Sequence, residues 1–191
     1  MKTEINGKAG SSRELTLSVR DCLESDMEEI TTIYAEAVLS STCSFELEPP
    51  AADEMAKRFR VLTGSGYPFL VAVHEKQITA YAYAGAYRPR PAYTSTVEDS
   101  IYVHTDFRGR GIGNLLLARL IDRCSVLGFR QMIAVIGGDS PEASIGLHSR
   151  NGFSLAGTLQ SVGWKHGKWL DTVIMQRALG PGSSSCWNDL I

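Results

Sequence analysis

Apolar and polar residues alternate where the first pattern becomes readable. Leu15, Leu17 and Val19 share one face of Leu15–Arg20, which predicts a strand. Ser25-Asp26-Met27-Glu28 has capping-box spacing, and Ile30, Ile33, Tyr34, Ala37 and Val38 follow at helical intervals to about Ser40. Pro49-Pro50 closes a loop and opens a second helix. Met55, Phe59 and Leu62 line one side of it, and Gly64 ends it. Phe69–Val73 and Ile78–Tyr87 are strands around a Glu75-Lys76 turn, and Val97–Val103 is another strand. A glycine-rich stretch, Arg108–Gly113, leads into a long helix to about Leu127, with Leu116, Leu120, Cys124 and Leu127 on its buried side. Gln131–Ile136 is a strand, and Pro141–Arg150 is a short helix closed by Asn151-Gly152. Phe153–Val162 and Trp169–Arg177 are the last strands, around a Gly163–Lys168 connection. Hairpins first and strand–helix–strand units later predict a mixed α/β chain. One sheet, partly antiparallel and partly parallel, carries helices on its faces.

Composition narrows the function classes. A chain of 191 residues fits one domain with extensions: a polar lead-in over 1–14, a core over 15–179 and a breaker-rich tail over 180–191. Hydrophobic residues at 43% and charged residues at 21% are ordinary globular values. Nineteen Lys+Arg against 21 Asp+Glu give a net charge of -2, which speaks against a strongly basic nucleic-acid binder. No apolar run approaches the roughly 18 residues of a spanning helix, and the opening MKTEINGKAGSSRE lacks the apolar centre of a secretory signal. Cys22, Cys43, Cys124 and Cys186 have neither metal-ligand nor redox-motif spacing. The expectation is a cytoplasmic protein with reduced thiols, no metal and no membrane partner.

Chemistry concentrates at Val97–Leu117, where a strand enters a turn with glycines at 109, 111 and 113 and the turn opens directly into a helix. Glycine permits positive φ and close approach of backbone to a ligand. A helix start offers unpaired N–H groups and the positive end of the dipole, an anion cradle suited to a pyrophosphate. Arg108 and Arg110 add positive charge. A P-loop requires Lys-Ser/Thr after its last glycine, and here Asn114 follows. G-x-G-x-x-G fails in both registers, which end on Asn114 or Leu116. A tight turn without a ligand is the plain alternative.

Arg108, Gly111 and Gly113 fill R-x-x-G-x-G, and here the chain resembles the GNAT superfamily of Gcn5-related N-acetyltransferases. Ala143–Phe153, with its closing Gly-Phe pair, is similar to that family's later helix. Ser44-Phe45-Glu46, Tyr87–Tyr93, Thr96–Val103, Gly137-Gly-Asp139 and Gly167–Asp171 resemble the phosphinothricin / methionine sulfoximine acetyltransferase subgroup. The resemblance covers about 15–179. It implies a mostly antiparallel mixed sheet of six or seven strands, splayed in the middle, with helices on both faces. It also implies acetyl-CoA as co-substrate, a small amino-acid-like amine as acceptor, and a homodimer.

The same resemblance distributes roles. Arg108, Gly109, Arg110, Gly111, Ile112, Gly113 and Asn114 form the pyrophosphate cradle. Ile101 and Val103 pair with the pantetheine arm, with the Val103 N–H placed to meet the thioester oxygen. Alternation sets Glu98, Ser100 and Tyr102 on one face and Val97, Ile101 and Val103 on the other. Glu98, partly desolvated near the sheet centre, is the expected general base. His148 stands where many relatives carry a Tyr acid. It could donate or accept a proton, or only hold a water; His74, His104 and His166 have no comparable context. Arg88, Arg90 and Tyr93 are expected to hold the acceptor's acidic end, with Phe45 and Glu46 covering it. Pro141 departs from the Asn common in the subgroup, so its contact to CoA is lost or supplied by Ser140 or Ser144. Two competing readings remain: another amine acceptor (a polyamine, an aminoglycoside or a protein N-terminus), or a non-catalytic acyl-CoA sensor.

Overall fold

The computed structural model describes residues 16–138 and 141–186. The expected lead-in, Leu15, Asp139, Ser140 and the end of the tail from Trp187 lie outside the described residues. The elements in chain order are β1 (Ser18–Asp21), α1 (Met27–Ser40), α2 (Ala52–Gly64), β2 (Phe69–His74), β3 (Gln77–Ala86), β4 (Thr96–Val103), α3 (Ile112–Val126), β5 (Gln131–Gly137), α4 (Glu142–Arg150), β6 (Ser154–Lys165) and β7 (Lys168–Ala178). The seven strands form one sheet in the order β1-β2-β3-β4-β5-β7-β6. Every neighbouring pair is antiparallel except β4–β5.

Two apolar layers hold the sheet between helices, as its alternating faces require. On one face Met27, Ile30, Ile33 and Val38 of α1 and Met55 and Phe59 of α2 pack on Phe69, Val71, Ile78 and Tyr81. On the other, Leu116, Leu117, Leu120 and Cys124 of α3 pack on Leu70, Ala72, Ala80, Ala82 and Val97. Ile78 and Ala80 are two residues apart yet face opposite layers. A bulge opposite Ala72/Val73 explains the reversal, and Thr79 there donates its hydroxyl to Ala72 O at 3.1 Å.

Three local expectations needed correction. No side-chain cap closes α1; instead the Asp26 carboxylate accepts from the Leu23 N–H at 2.8 Å and from the two terminal guanidinium nitrogens of Arg20. The described part of the first strand begins at Ser18. The last two strands run further than expected, to a turn at His166-Gly167, because Gly163 sits at an irregularity inside β6 rather than in the turn. Past β7 the chain is held: buried Arg130 donates to Gly182 O, Ser185 Oγ and Cys186 O at 3.3, 3.0 and 3.4 Å.

The feature that makes a site is the seam between β4 and β5. The two strands pair only from Thr96↔Gln131 to Asp99↔Ala134. Beyond that Ser100–Val103 and Val135–Gly137 diverge, and a cleft of about 780 Å³ opens between them.

Candidate active site

The cleft passes through the sheet. Its walls are the diverging strands, the turn after β4, α4 and the Ser41–Phe45 loop. The N–H of His104 donates to Thr79 O at 2.9 Å, and Arg130 N–H donates to Ser95 O on the other side at 2.8 Å. Backbone groups alternate along a strand, so the odd-numbered Ile101 and Val103 aim theirs into the gap. Arg108 folds back and donates Nε to Val103 O at 3.1 Å, which joins the turn to the end of β4.

Gly109 and Gly111 take φ of 73° and 80°, where a Cβ would be strained. Ile112, Gly113 and Asn114 are the first residues of α3, and Leu115 is the first whose N–H reaches back to a carbonyl, at Gly111. Among the described residues no protein group accepts from the amides of 109–114. They form an open nest at the cleft mouth, fitted to an anion. Arg108, Gly109, Gly111, Ile112, Gly113 and Asn114 all line it. Ile112 offers its backbone alone, since its side chain is in the core. Arg110 stands outside the lining, its guanidinium 5.5 Å over the Phe107 ring. The Asn114 side chain is engaged by Asn151 Nδ2 at 2.9 Å, which ties the start of α3 to the end of α4.

Glu98 lines the cleft half-buried, on the face covered by α1 and α2. Burial raises its pKa first, the neighbouring Asp99 raises it further, and Arg88 partly opposes both. Asp99 points the other way. Its Oδ2 lies 3.0 Å from His148 Nε2, and the two side chains are 2% and 3% exposed. His148 Nδ1 is 2.7 Å from Ser144 O, a carbonyl, so this nitrogen is the donor. Desolvation lowers the His148 pKa, but the Asp99 carboxylate outweighs it and the net shift is upward. Ser144 lines the cleft beside them, as do Pro141 and Arg150.

The loop after α1 is pinned from three directions. Phe45 lays its ring between Gly137 and Gly163, where a Cβ would come within 2.7 and 2.6 Å of it. Lys165, 2% exposed, donates to Ser44 O at 2.7 Å, and desolvation lowers its pKa. Glu46 is held by Arg58 of α2 at 2.6 Å. Arg88 lies against the Tyr87 ring and close enough to act on Glu98. Arg90 and Tyr93 are exposed, in the loop leading to the Glu98 end of β4, and stand outside the cleft lining.

The structure thus brings Glu98, His148, Ile101, Val103, Ser144, Phe45 and most of the turn to one cleft. It leaves Arg88, Arg90, Arg110, Tyr93 and Glu46 around or beyond its edge. Sequence reasoning missed Asp99, Arg150 and Cys43 in the cleft lining, and Lys165 as the anchor of the loop beside it. Parity along β4 does put Asp99 on the α3 side, but its partner is 49 residues away. No cluster of three metal-ligating side chains occurs among the described residues. No helix there is long and apolar enough to cross a membrane.

Comparisons with known proteins agree on one family. The family described as "Acetyltransferase (GNAT) domain" matches residues 19–174. Phosphinothricin N-acetyltransferase of Alcaligenes faecalis is 46% identical over 168 residues, 88% of this chain and 85% of that protein. The L-methionine sulfoximine/L-methionine sulfone acetyltransferase of Pseudomonas aeruginosa is 38% identical over 172 residues, 90% and 99% of the two chains. A crystal structure of a GNAT superfamily phosphinothricin acetyltransferase from Sinorhizobium meliloti, in complex with AcCoA, superposes with a TM-score of 0.87. It shares 49% identity over 90% of this chain and 93% of that one.

Proposed function

The chain belongs to the GNAT acetyltransferase family, and on that premise we propose that it moves an acetyl group from acetyl-CoA to the α-amine of a small amino acid. The acceptor carries a tetrahedral side-chain group, as phosphinothricin, methionine sulfoximine and methionine sulfone do. One observation carries the reading: the half-buried Glu98 faces a cleft that also holds an open nest of amides and the free edge of β4.

Acetyl-CoA supplies an activated thioester, whose carbonyl carbon takes the amine. The residues present fit it. The unbonded amides of 109–114 suit its diphosphate, and the free edge at Ile101 and Val103 suits an extended amide-bearing arm laid in as an extra strand. The Val103 N–H, aimed into the gap, is placed to stabilise charge on the carbonyl oxygen. Only a free amine attacks, so the acceptor's ammonium gives a proton to Glu98, directly or through a water. Burial and the adjacent Asp99 charge make Glu98 basic enough for this. As the C–N bond forms, the C–S bond breaks and the CoA thiolate leaves, to be protonated from solvent or from the amine nitrogen. Arg88, Arg90 and Tyr93, beside the Glu98 end of β4, hold the acceptor's acidic groups, and Phe45 closes the pocket over it.

The reading includes a second copy of the chain. Leu155, Leu159, Val162 and Trp164 of edge strand β6 and Trp169 of β7 are each more than half exposed. An unpaired edge with this much apolar surface fits a self-complementary partner. Sedimentation velocity is expected to show a dimer that Trp164→Glu weakens; a monomer at micromolar concentration would remove it.

Thiol release from acetyl-CoA against a panel of amines tests the activity. Turnover is expected with phosphinothricin, methionine sulfoximine or methionine sulfone. Turnover confined to spermidine, aminoglycosides or peptides would replace the acceptor class. Saturable CoA binding without any turnover would make the protein a sensor.

A further inference from the structure

We propose that Asp99 is a positioning residue for the acetyl-transfer site: its buried pair with His148 locks α4 onto the strand that carries Glu98, and His148 is thereby a fixed partner of Asp99 rather than an acid or base in the reaction. The inference rests on the acetyl-transfer reading and refines its site.

His148 has two ring nitrogens, and both are committed, Nδ1 to Ser144 O and Nε2 to Asp99 Oδ2. An imidazole that donates from Nδ1 and meets a carboxylate at Nε2 holds both bonds as an imidazolium. To give a proton to a leaving thiolate or take one from an amine, it would have to abandon Asp99 in an apolar setting. The Phe153 and imidazole rings are perpendicular with centroids 5.0 Å apart, and the buried Cys124 thiol of α3 feels the Asp99 charge. Among the described residues, Asp99 is the charged group that acts on His148.

The consequences fall on two sides. The 99–148 bond joins β4, at the point where it parts from β5, to a helix whose Ala143, Ser144, Gly146 and Leu147 line the cleft. The width of the slot beside Ile101 and Val103 is therefore set by this bond. Across the strand, the charge of Asp99, whose buried Oδ1 has no partner among the described residues, reaches Glu98. The other groups bearing on the Glu98 face are Arg88, Tyr83 of β3, and Glu46 and Arg58 near the Tyr83 ring.

Imidazole ¹⁵N NMR of the full chain, with and without CoA, tests the pair independently of turnover. Both His148 nitrogens are expected to stay protonated at pH 6.5 and above it, and Asp99→Asn should end this. A neutral His148 with a bare Nε2 at pH 6.5 would overturn the proposal. Steady-state kinetics of Asp99→Asn, His148→Asn and the double variant supply the second readout. Each single change is expected to raise KM for acetyl-CoA by about ten-fold, with the double variant no worse than the singles. His148→Gln, whose amide still donates, should recover part of the loss. A His148→Asn enzyme with unchanged KM, a large fall in kcat and a missing limb in its pH profile would make His148 catalytic and the proposal wrong. If no amine turns over at all, the acetyl-transfer reading fails, while NMR and calorimetric CoA affinity still decide the pair.

Discussion

Glu98 and Asp99 are neighbours on one strand and have opposite fates. Glu98 faces the α1–α2 side, half-buried, with Arg88 opposing the upward shift of its pKa and an open cleft before it. Asp99 faces the α3–α4 side, 6% exposed, with Oδ2 bonded to His148 and no partner for Oδ1 among the described residues. Strand alternation alone separates them. On the proposed reading the accessible carboxylate serves as the base and the one sealed against an imidazole as a fastener. One strand would then supply both the chemistry and the geometry that the chemistry needs.

The contrast breaks most visibly in stability. Asp99→Asn removes half of a buried pair and is expected to cost about 3 kcal/mol. The folded pKa of His148 lies above its ordinary 6.5, so its contribution is fully present below that pH. It is lost as pH rises through the folded value. Chemical denaturation from pH 5.5 to 9 should show the gap between wild type and variant narrowing at the basic end; a constant gap would deny the ion pair.

Phe45→Ala empties the space between Gly137 and Gly163. It should raise KM for the amine by about ten-fold while CoA affinity, read by calorimetry, stays level. Gly111→Ala acts on the opposite side. Its φ of 80° strains any Cβ, at about 1 kcal/mol, so CoA affinity should fall several-fold with little change in kcat at saturation. Loss of the amine site instead would put the nest in the wrong place.

The smallest effect has the opposite sign to the first. The folded pKa of Glu98 is raised, so its charge opposes folding above the ordinary glutamate range. Glu98→Gln should therefore stabilise the fold at pH 7 by about 0.5 kcal/mol, and the gain should vanish near pH 4. Two isosteric amide changes at adjacent residues, one destabilising and one stabilising, would make the comparison sharp.

Much of this was legible in the sequence. Strand parity placed Glu98 correctly because β4 has no bulge, and the turn was readable because glycine spacing at a helix start has few uses. What escaped was non-local. His148 was visible as a candidate, but nothing in a linear pattern says that both its nitrogens are occupied. Lys165 reads as a surface residue, yet it is buried under a loop 121 positions earlier in the chain. Gly163 looked like a turn residue, whereas it is there to admit the Phe45 ring. Side-chain partners, unlike periodicities, are set by tertiary packing.

The central claim is that Glu98 receives the acceptor's proton. The direct test is the pH dependence of kcat/KM for phosphinothricin at saturating acetyl-CoA, in wild type and Glu98→Gln. The account predicts an acidic limb above the ordinary glutamate range in wild type, and its disappearance in the variant with a rate lower by about 100-fold. A Glu98→Gln enzyme that keeps the limb and the wild-type rate would contradict it.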